Sequence, residues 1–450
     1  MRKTKTPKSQ RTPATLAKRW KNYEWWERGI LILGLVSFIG AVTILFLPLG
    51  KGPSEYRSSA LVSAAGSRQF LDAISDQMAI PVDSGSPPEI IVDGDQFLRR
   101  ILADIDSAKS SICMMNYIWS DGRFSDAVLA HLARRATSGV SVYVLLDAYG
   151  SIKAPESKFE DLKNKGGKVA TFHSLMPLPW TMMRDVRRNH RRAISVDGRI
   201  GYTGGVAVDD HWLGHARNPD EWHDLMFRFT GSAAARIQGS FAEVWMATTG
   251  ELLSGPWLIS NQGTGSEGAP YVTISTSPSP DLFESEHFFL MSLWGARRSI
   301  HVENPYFLPD ASIRKALIDK ARAGLDVTLL LPGEHTDERS VRWAGQRIYD
   351  DLLAAGVKIY EYQPTFTHAK LMVEDAKWSV IGSANWDNRS RKLNDEIIVG
   401  MSDGAFASQL EDIFRSDLSR SRRVTLEDWR KRGPSQRVLE YLSQAFVQQY

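Results

Sequence analysis

Two stretches of this 450-residue chain pair a histidine with a nearby cation, a downstream acid and a small-residue pair at matched spacing. The first holds His190, Arg192, Asp197 and the pair Gly204–Gly205. The second holds His368, Lys370, Asp375 and the pair Gly382–Ser383, with Asn385 two residues further on. In both, the acid follows the histidine by seven residues and the small pair by fourteen and fifteen. Imidazole, cation, hydroxyl and amide suit a phosphodiester: the donors hold its oxygens while an imidazole attacks phosphorus or protonates a leaving oxygen. A lone strand histidine is ordinarily structural, and the doubled spacing argues against that reading. Metal chemistry has weaker support. His211 and His215 are four apart, but Gly214 and Pro219 break any helix there, and Glu284 with His287 has no match in the first half.

The elements that must position these groups follow from periodicity. Residues 367–375 alternate polar and apolar side chains, as a half-buried strand does, with His368 and Lys370 on one face and Ala369, Leu371 and Val373 on the core face. Ala376–Lys377 reads as a turn into the apolar strand 378–381, giving a hairpin that returns Ser383 and Asn385 towards the imidazole. Further landmarks repeat in order. Ile112 and Ile300 open apolar runs, Gly139 and Gly324 stop helices, and buried strands follow at 140–147 and 325–332. The offsets of 188, 185 and 178 residues drift only through loop lengths. This predicts an α/β fold of two duplicated domains, each with a mostly parallel sheet, over residues 85–253 and 271–450. A connector at 254–270 joins them. A pseudo-two-fold would let both histidine strands face one site, with one imidazole as nucleophile and the other as acid, which needs opposite protonation states near neutrality.

These residues resemble the phospholipase D superfamily, and within it the bacterial cardiolipin synthases. The resemblance runs from about Glu89 to the C-terminus and includes the segments 189–205, 304–309, 359–364, 382–390 and 393–396. It implies that His190 forms a covalent phosphatidyl-histidine while His368 protonates the departing glycerol. It further implies that Lys370 and Arg192 hold phosphate oxygens, assisted by Ser383 and Asn385. Glu396 would orient the second histidine, and Asp224 the first. Asp197 and Asp375 belong to the motif but are expected to brace the hairpins. Two departures stand out: Arg192 replaces the usual lysine, and Ala207 occupies the position of Asn385. Arginine keeps the charge but presents a wider planar fork.

The run from Gly29 to Gly50 carries no charge and is long enough to cross a bilayer as a helix. Residues 1–28 hold nine Lys/Arg and two Asp/Glu, so the remaining chain has 46 basic and 50 acidic residues (55 − 9 and 52 − 2). This predicts a basic cytoplasmic arm, an uncleaved single span at 29–50, and a catalytic part on the outer side of the plasma or inner membrane. Residues 51–84 read as a linker, although the helical pattern near Phe70 to Met78 could belong to either side. The proline-broken apolar stretch 174–183 reads either as a lipid-dipping loop or as core. The single cysteine, Cys113, reads as core.

The expected activity is therefore phosphatidyl transfer between molecules of phosphatidylglycerol at a membrane, metal-independent and without a cofactor. A hydrolytic phospholipase D releasing phosphatidic acid would use the same residues and differ in admitting water. A nuclease would want a basic groove, which a catalytic part of net −4 does not favour, so no nucleic-acid partner is expected. A non-catalytic lipid binder is the reading that Arg192 and Ala207 would suggest.

Overall fold

The computed structural model describes residues 24–27, 29–30, 32, 34–35, 56–173, 187–255, 268–279 and 283–444. Among the described residues no helix is long and apolar enough to cross a membrane. The expected span at 29–50 lies mostly outside them, as does the stretch 174–183 and most of the connector. Residues 1–49 and 50–450 are separate compact units.

Within the larger unit the sequence repeat becomes two sheets with one strand order. The first sheet runs Glu89–Val92, Leu225–Thr230, Ile200–Gly204, Ala193–Val196, Ser111–Asn116, Ser141–Asp147, Lys168–Phe172. The second repeats that order as Ala269–Thr276, Asn394–Ser402, Trp378–Gly382, Leu371–Glu374, Ser299–Glu303, Asp326–Pro332, Lys358–Tyr362. Asp83–Gly85 and Ser421–Val424 extend its two edges. The expectation of mostly parallel sheets needs correction. Only the strand–helix–strand segment of each half is parallel, and the other core pairings are antiparallel. The cause is the hairpin itself: a tight turn returns its strand antiparallel, whereas a parallel neighbour needs a helical crossover.

The expectation of half-buried hairpin strands also fails. Leu371 and Val373 pack into a core shared by both halves, while Met372 faces the outer helices, so the strand is covered on both faces. Helices Ser232–Thr249 and Gly404–Ser419 contribute Ile237, Phe241, Leu410 and Phe414 to the shared core. Sheets covered on both sides read as continuous apolar runs, which is why alternation is weak. The described part of the linker is not slack chain. Helix Arg68–Met78, capped by Ser67, lays Phe70 against Trp378 with ring centroids 5.1 Å apart. Ala65 N–H bonds Gly295 O at 3.0 Å, which ties this stretch to the second half.

Candidate active site

Each histidine sits where its chain crosses to the opposite half. Arg188–Asn189 pairs parallel with Asn394–Asp395, and His190 N–H donates to Asp395 O at 3.0 Å. In the same way Thr367 bridges His223, and His368 N–H donates to His223 O at 2.7 Å. The carboxylates next in sequence to these acceptors are thereby brought beside the imidazoles. His190 Nδ1 lies 2.8 Å from Glu396 Oε1, and His368 Nδ1 lies 2.7 Å from Asp224 Oδ2. This reverses the expected assignment: Glu396 orients the first histidine and Asp224 the second. The reason is the crossover, which places each histidine over the other half's carboxylate.

Both clamps are themselves held. Ser383 Oγ and Ser390 Oγ donate to Glu396, the latter at 2.6 Å. Asp224 accepts from Trp212 Nε1 and Leu225 N, both at 2.8 Å. Ser383 was expected on the phosphate; its hydroxyl is instead spent on the carboxylate. The first half has Gly205 there because Asp224 occupies the space: a Cβ on Gly205 would stand 2.1 Å from Asp224 Oδ1. Gly204 is equally constrained, with φ +154° and Leu225 O 2.4 Å from where a Cβ would be.

The cations converge on the rings. Arg192 Nη1 donates to His190 Nε2 at 2.7 Å, while its buried Nε and Nη2 have no partner among the described residues. Lys370 Nζ donates to His368 O at 2.6 Å and lies 3.0 Å from His368 Nε2. His190, Arg192, His368 and Lys370 are all buried. Burial, then Arg192 and Lys370, hold the His190 pKa well below its usual value. Burial and Lys370 push His368 down to about 3, against the pull of Asp224. Burial brings Lys370 down to about 7, with Asp224 opposing and Arg192 adding to the fall. Burial raises Glu396 to about 7, although Ser383 and Ser390 favour its charged form. Asp224 stays below its usual value: His368, Lys370 and Trp212 outweigh its burial. Burial and the two cations thus disfavour the charged form of both imidazoles in the free protein.

Asn385 is buried and its Oδ1 is unpartnered, while Ala207 on the other side is sealed in core. Asp197 accepts from the N–H groups of Lys109, Ser110 and Ser111, and Asp375 from those of Arg297, Arg298 and Ser299. Both therefore tie a hairpin turn to the start of the neighbouring strand, and neither points at the rings. His211 pairs with Asp209, and His287 packs on Tyr56; among the described residues neither histidine joins a cluster of ligand-forming groups. Several contacts went unassigned from sequence. Trp212 and Trp222 pack on His368, Tyr306 lies 6.1 Å from it, and Tyr117 lies 5.0 Å from His190, all as ring centroids. Tyr306 sat inside the 304–309 segment, but only its neighbours in space give it a role.

Each of the two buried imidazoles has Nδ1 on a carboxylate and a cation beside Nε2, and each also feels the other motif's cation. The profile of the family described as "Cardiolipin synthase, PLD-like domain" matches residues 101–245 and 290–418. The chain belongs to that family. It is an enzyme of the phospholipase D superfamily, of transphosphatidylase type. Among its relatives are a protein named cardiolipin synthase 2 from Bacillus cereus, 31% identical over 87% of this chain and 76% of that one. The minor cardiolipin synthase of Bacillus subtilis is 33% identical over 79% of this chain and 87% of its own length. A crystal structure of phosphatidylserine synthase from Haemophilus influenzae matches 85% of this chain and 100% of that one, with a TM-score of 0.65 and 11% identity. At that identity the last match speaks for the fold alone.

Proposed function

We propose that the protein is a membrane-anchored cardiolipin synthase that joins two molecules of phosphatidylglycerol through a phosphatidyl-histidine. The observation that carries this is the crossed clamp: each Nδ1 is committed to a carboxylate, so the chemistry falls to Nε2, which a phosphate frees by drawing away the cation beside it. His190 Nε2 attacks phosphorus, the phosphorus–oxygen bond to the head-group glycerol breaks, and His368 gives its Nε2 proton to the departing oxygen. The hydroxyl of a second phosphatidylglycerol then passes its proton to His368 and takes the phosphorus from His190. Asp224, held in its charged form, suits the histidine that must become imidazolium. Glu396, pushed towards its neutral form, suits the one that attacks as a neutral base. The bound phosphodiester would offset Arg192 and Lys370, which otherwise keep His368 from taking its proton. The idle Nε and Nη2 of Arg192 are the donors available to it.

The anchor is residues 29–50, supported by the absence of charge across that run and the basic arm before it. The exposed side chains of Trp25, Trp26, Ile30, Ile32 and Leu35 fit an apolar helix end at a lipid surface. Purified full-length protein is given phosphatidylglycerol in mixed micelles and the products are separated. Cardiolipin and free glycerol in equal amounts are expected, with neither from His190→Ala or His368→Ala. Phosphatidic acid as the sole lipid product would make the protein a hydrolase, and no turnover would make it a lipid binder.

A further inference from the structure

Behind the His368 clamp lies a second cluster that this chemistry does not use. His223, Glu303 and Asp417 are 2%, 0% and 3% exposed, and one ligand atom of each lies within 4.8 Å of the other two. His223 comes from the first half, and Glu303 and Asp417 from the second. His223 Nε2, Glu303 Oε2 and Asp417 Oδ2 are all buried without a hydrogen-bond partner among the described residues. The first and last are 3.2 Å apart, an ion pair when His223 carries a proton but poorly aligned as a hydrogen bond. The buried Tyr362 hydroxyl is also unpartnered, and its ring centroid is 5.6 Å from that of His223. Each of these atoms costs free energy if left so.

The pseudo-two-fold shows what such a place needs. At the equivalent point of the first motif, between His190 and Arg192, stands Arg191, fully buried. Its guanidinium donates to Glu243 Oε2 at 2.9 Å, Ser240 Oγ at 3.2 Å and Thr276 O at 3.0 Å, and its charge also reaches Asp395. In the second motif Ala369 replaces Arg191, and His223 stands where the first site has Asp395. In place of an arginine this site sets His223 against Glu303 and Asp417.

The orientation of His223 fits a ligand. Its Nδ1 lies 2.7 Å from Asp93 Oδ1, which leaves Nε2 directed at the two carboxylates, the carboxylate–histidine arrangement that fixes a metal-binding tautomer. Glu303 is steadied through its other oxygen by Thr367 Oγ1. Tetrahedral ligands at about 2.0–2.2 Å stand roughly 3.4 Å apart, so small side-chain rotations close this cluster onto an ion.

We propose that His223, Glu303 and Asp417 bind one divalent transition ion, Zn²⁺ or Mn²⁺, which staples the two halves together behind the second catalytic histidine. One nitrogen with two carboxylates selects these over Mg²⁺ or Ca²⁺, which prefer all-oxygen shells. The ion would touch neither imidazole of the active site. It would act on position, because His223 precedes Asp224 and its carbonyl holds His368 N–H. A proton on His223 is the competing occupant: burial opposes it, but Asp417 and Asp93 together raise the His223 pKa well above its usual value.

The test is metal analysis of the full-length protein in detergent, independent of lipid turnover. The protein is stripped with a chelator, dialysed against Zn²⁺ or Mn²⁺, freed of excess, and its ion content and Tm are measured. About one equivalent per chain is expected, with Tm several degrees above the stripped form and no such gain from Mg²⁺. Asp417→Asn and His223→Gln should each lose the ion and the difference in Tm. An ion content well below stoichiometric, with an unmoved Tm, would leave the proton as occupant and overturn the proposal. Full retention of the ion by both variants would overturn it too, by placing the ion elsewhere.

Discussion

Asp224→Asn and Glu396→Gln should fail on different substrates, because the two clamps serve opposite chemical roles. Asp224 Oδ2 lies 2.7 Å from His368 Nδ1, within a fully buried pair. Asp224 Oδ2 accepts from both Trp212 Nε1 and His368 Nδ1 while Oδ1 accepts from Leu225 N–H, so either orientation of an asparagine turns its NH2 onto an N–H donor. The clamp is weakened and the charge that stabilises imidazolium is removed. By analogy with carboxylate-to-amide changes in catalytic triads, the loss in kcat is about 10³–10⁴-fold, or roughly 4–5.5 kcal/mol of barrier. Glu396→Gln should cost a similar factor through His190. Changing the leaving group separates them. A p-nitrophenyl phosphodiester of the same lipid departs without needing an acid, so Asp224→Asn and His368→Ala should recover most of their loss in p-nitrophenolate burst assays. Glu396→Gln and His190→Ala should stay inactive, since they lack the nucleophile. The reverse pattern would refute the assigned order of the histidines, and equal losses on both substrates would refute the division of roles.

Three other outcomes follow from the same geometry. Lys370, lowered to about 7, is charged below that pH and neutral above it, so kcat/KM should fall as pH rises through about 7. In Lys370→Arg the limb set by Lys370 should be lost, while the acid limb stays below the ordinary histidine range because His190, the nucleophile, resists protonation. Gly205→Ala would push a methyl into Asp224, so circular dichroism melting should show a loss of about 1–3 kcal/mol, with kcat down 100-fold or more. Asp375→Ala leaves three backbone N–H groups without their acceptor and should lower stability by about 1–3 kcal/mol, with turnover by the folded fraction reduced far less than in His368→Ala.

How far the sequence spoke depended on the distance over which each contact acts. The hairpin around His368 and Lys370 was legible because its signals are local: short apolar runs, a turn at Ala376–Lys377, and the return to Ser383. The duplication was legible because spacing survives divergence. The crossed clamps were not, since only the parallel pairings of Arg188–Asn189 and of Thr367 with residues in the other half decide them. No periodicity encodes a pairing between residues 206 apart, such as His190 and Glu396. The role of Ser383 was missed for the same reason, as its partner Glu396 is defined only once His190 has crossed over. Arg192, which looked like a weakness, is fully buried with its Nη1 on the imidazole, a position that leaves its Nε and Nη2 without a partner among the described residues.

The central claim is that one imidazole bonds to phosphorus while its twin handles the proton. Quenching the full-length His368→Ala enzyme in denaturant at near-neutral pH after reaction with the p-nitrophenyl phosphodiester of the same lipid, followed by peptide mass spectrometry, tests it directly. The account predicts a phosphatidyl adduct on His190. An adduct on another residue, or product release with no adduct at any quench time, would contradict it.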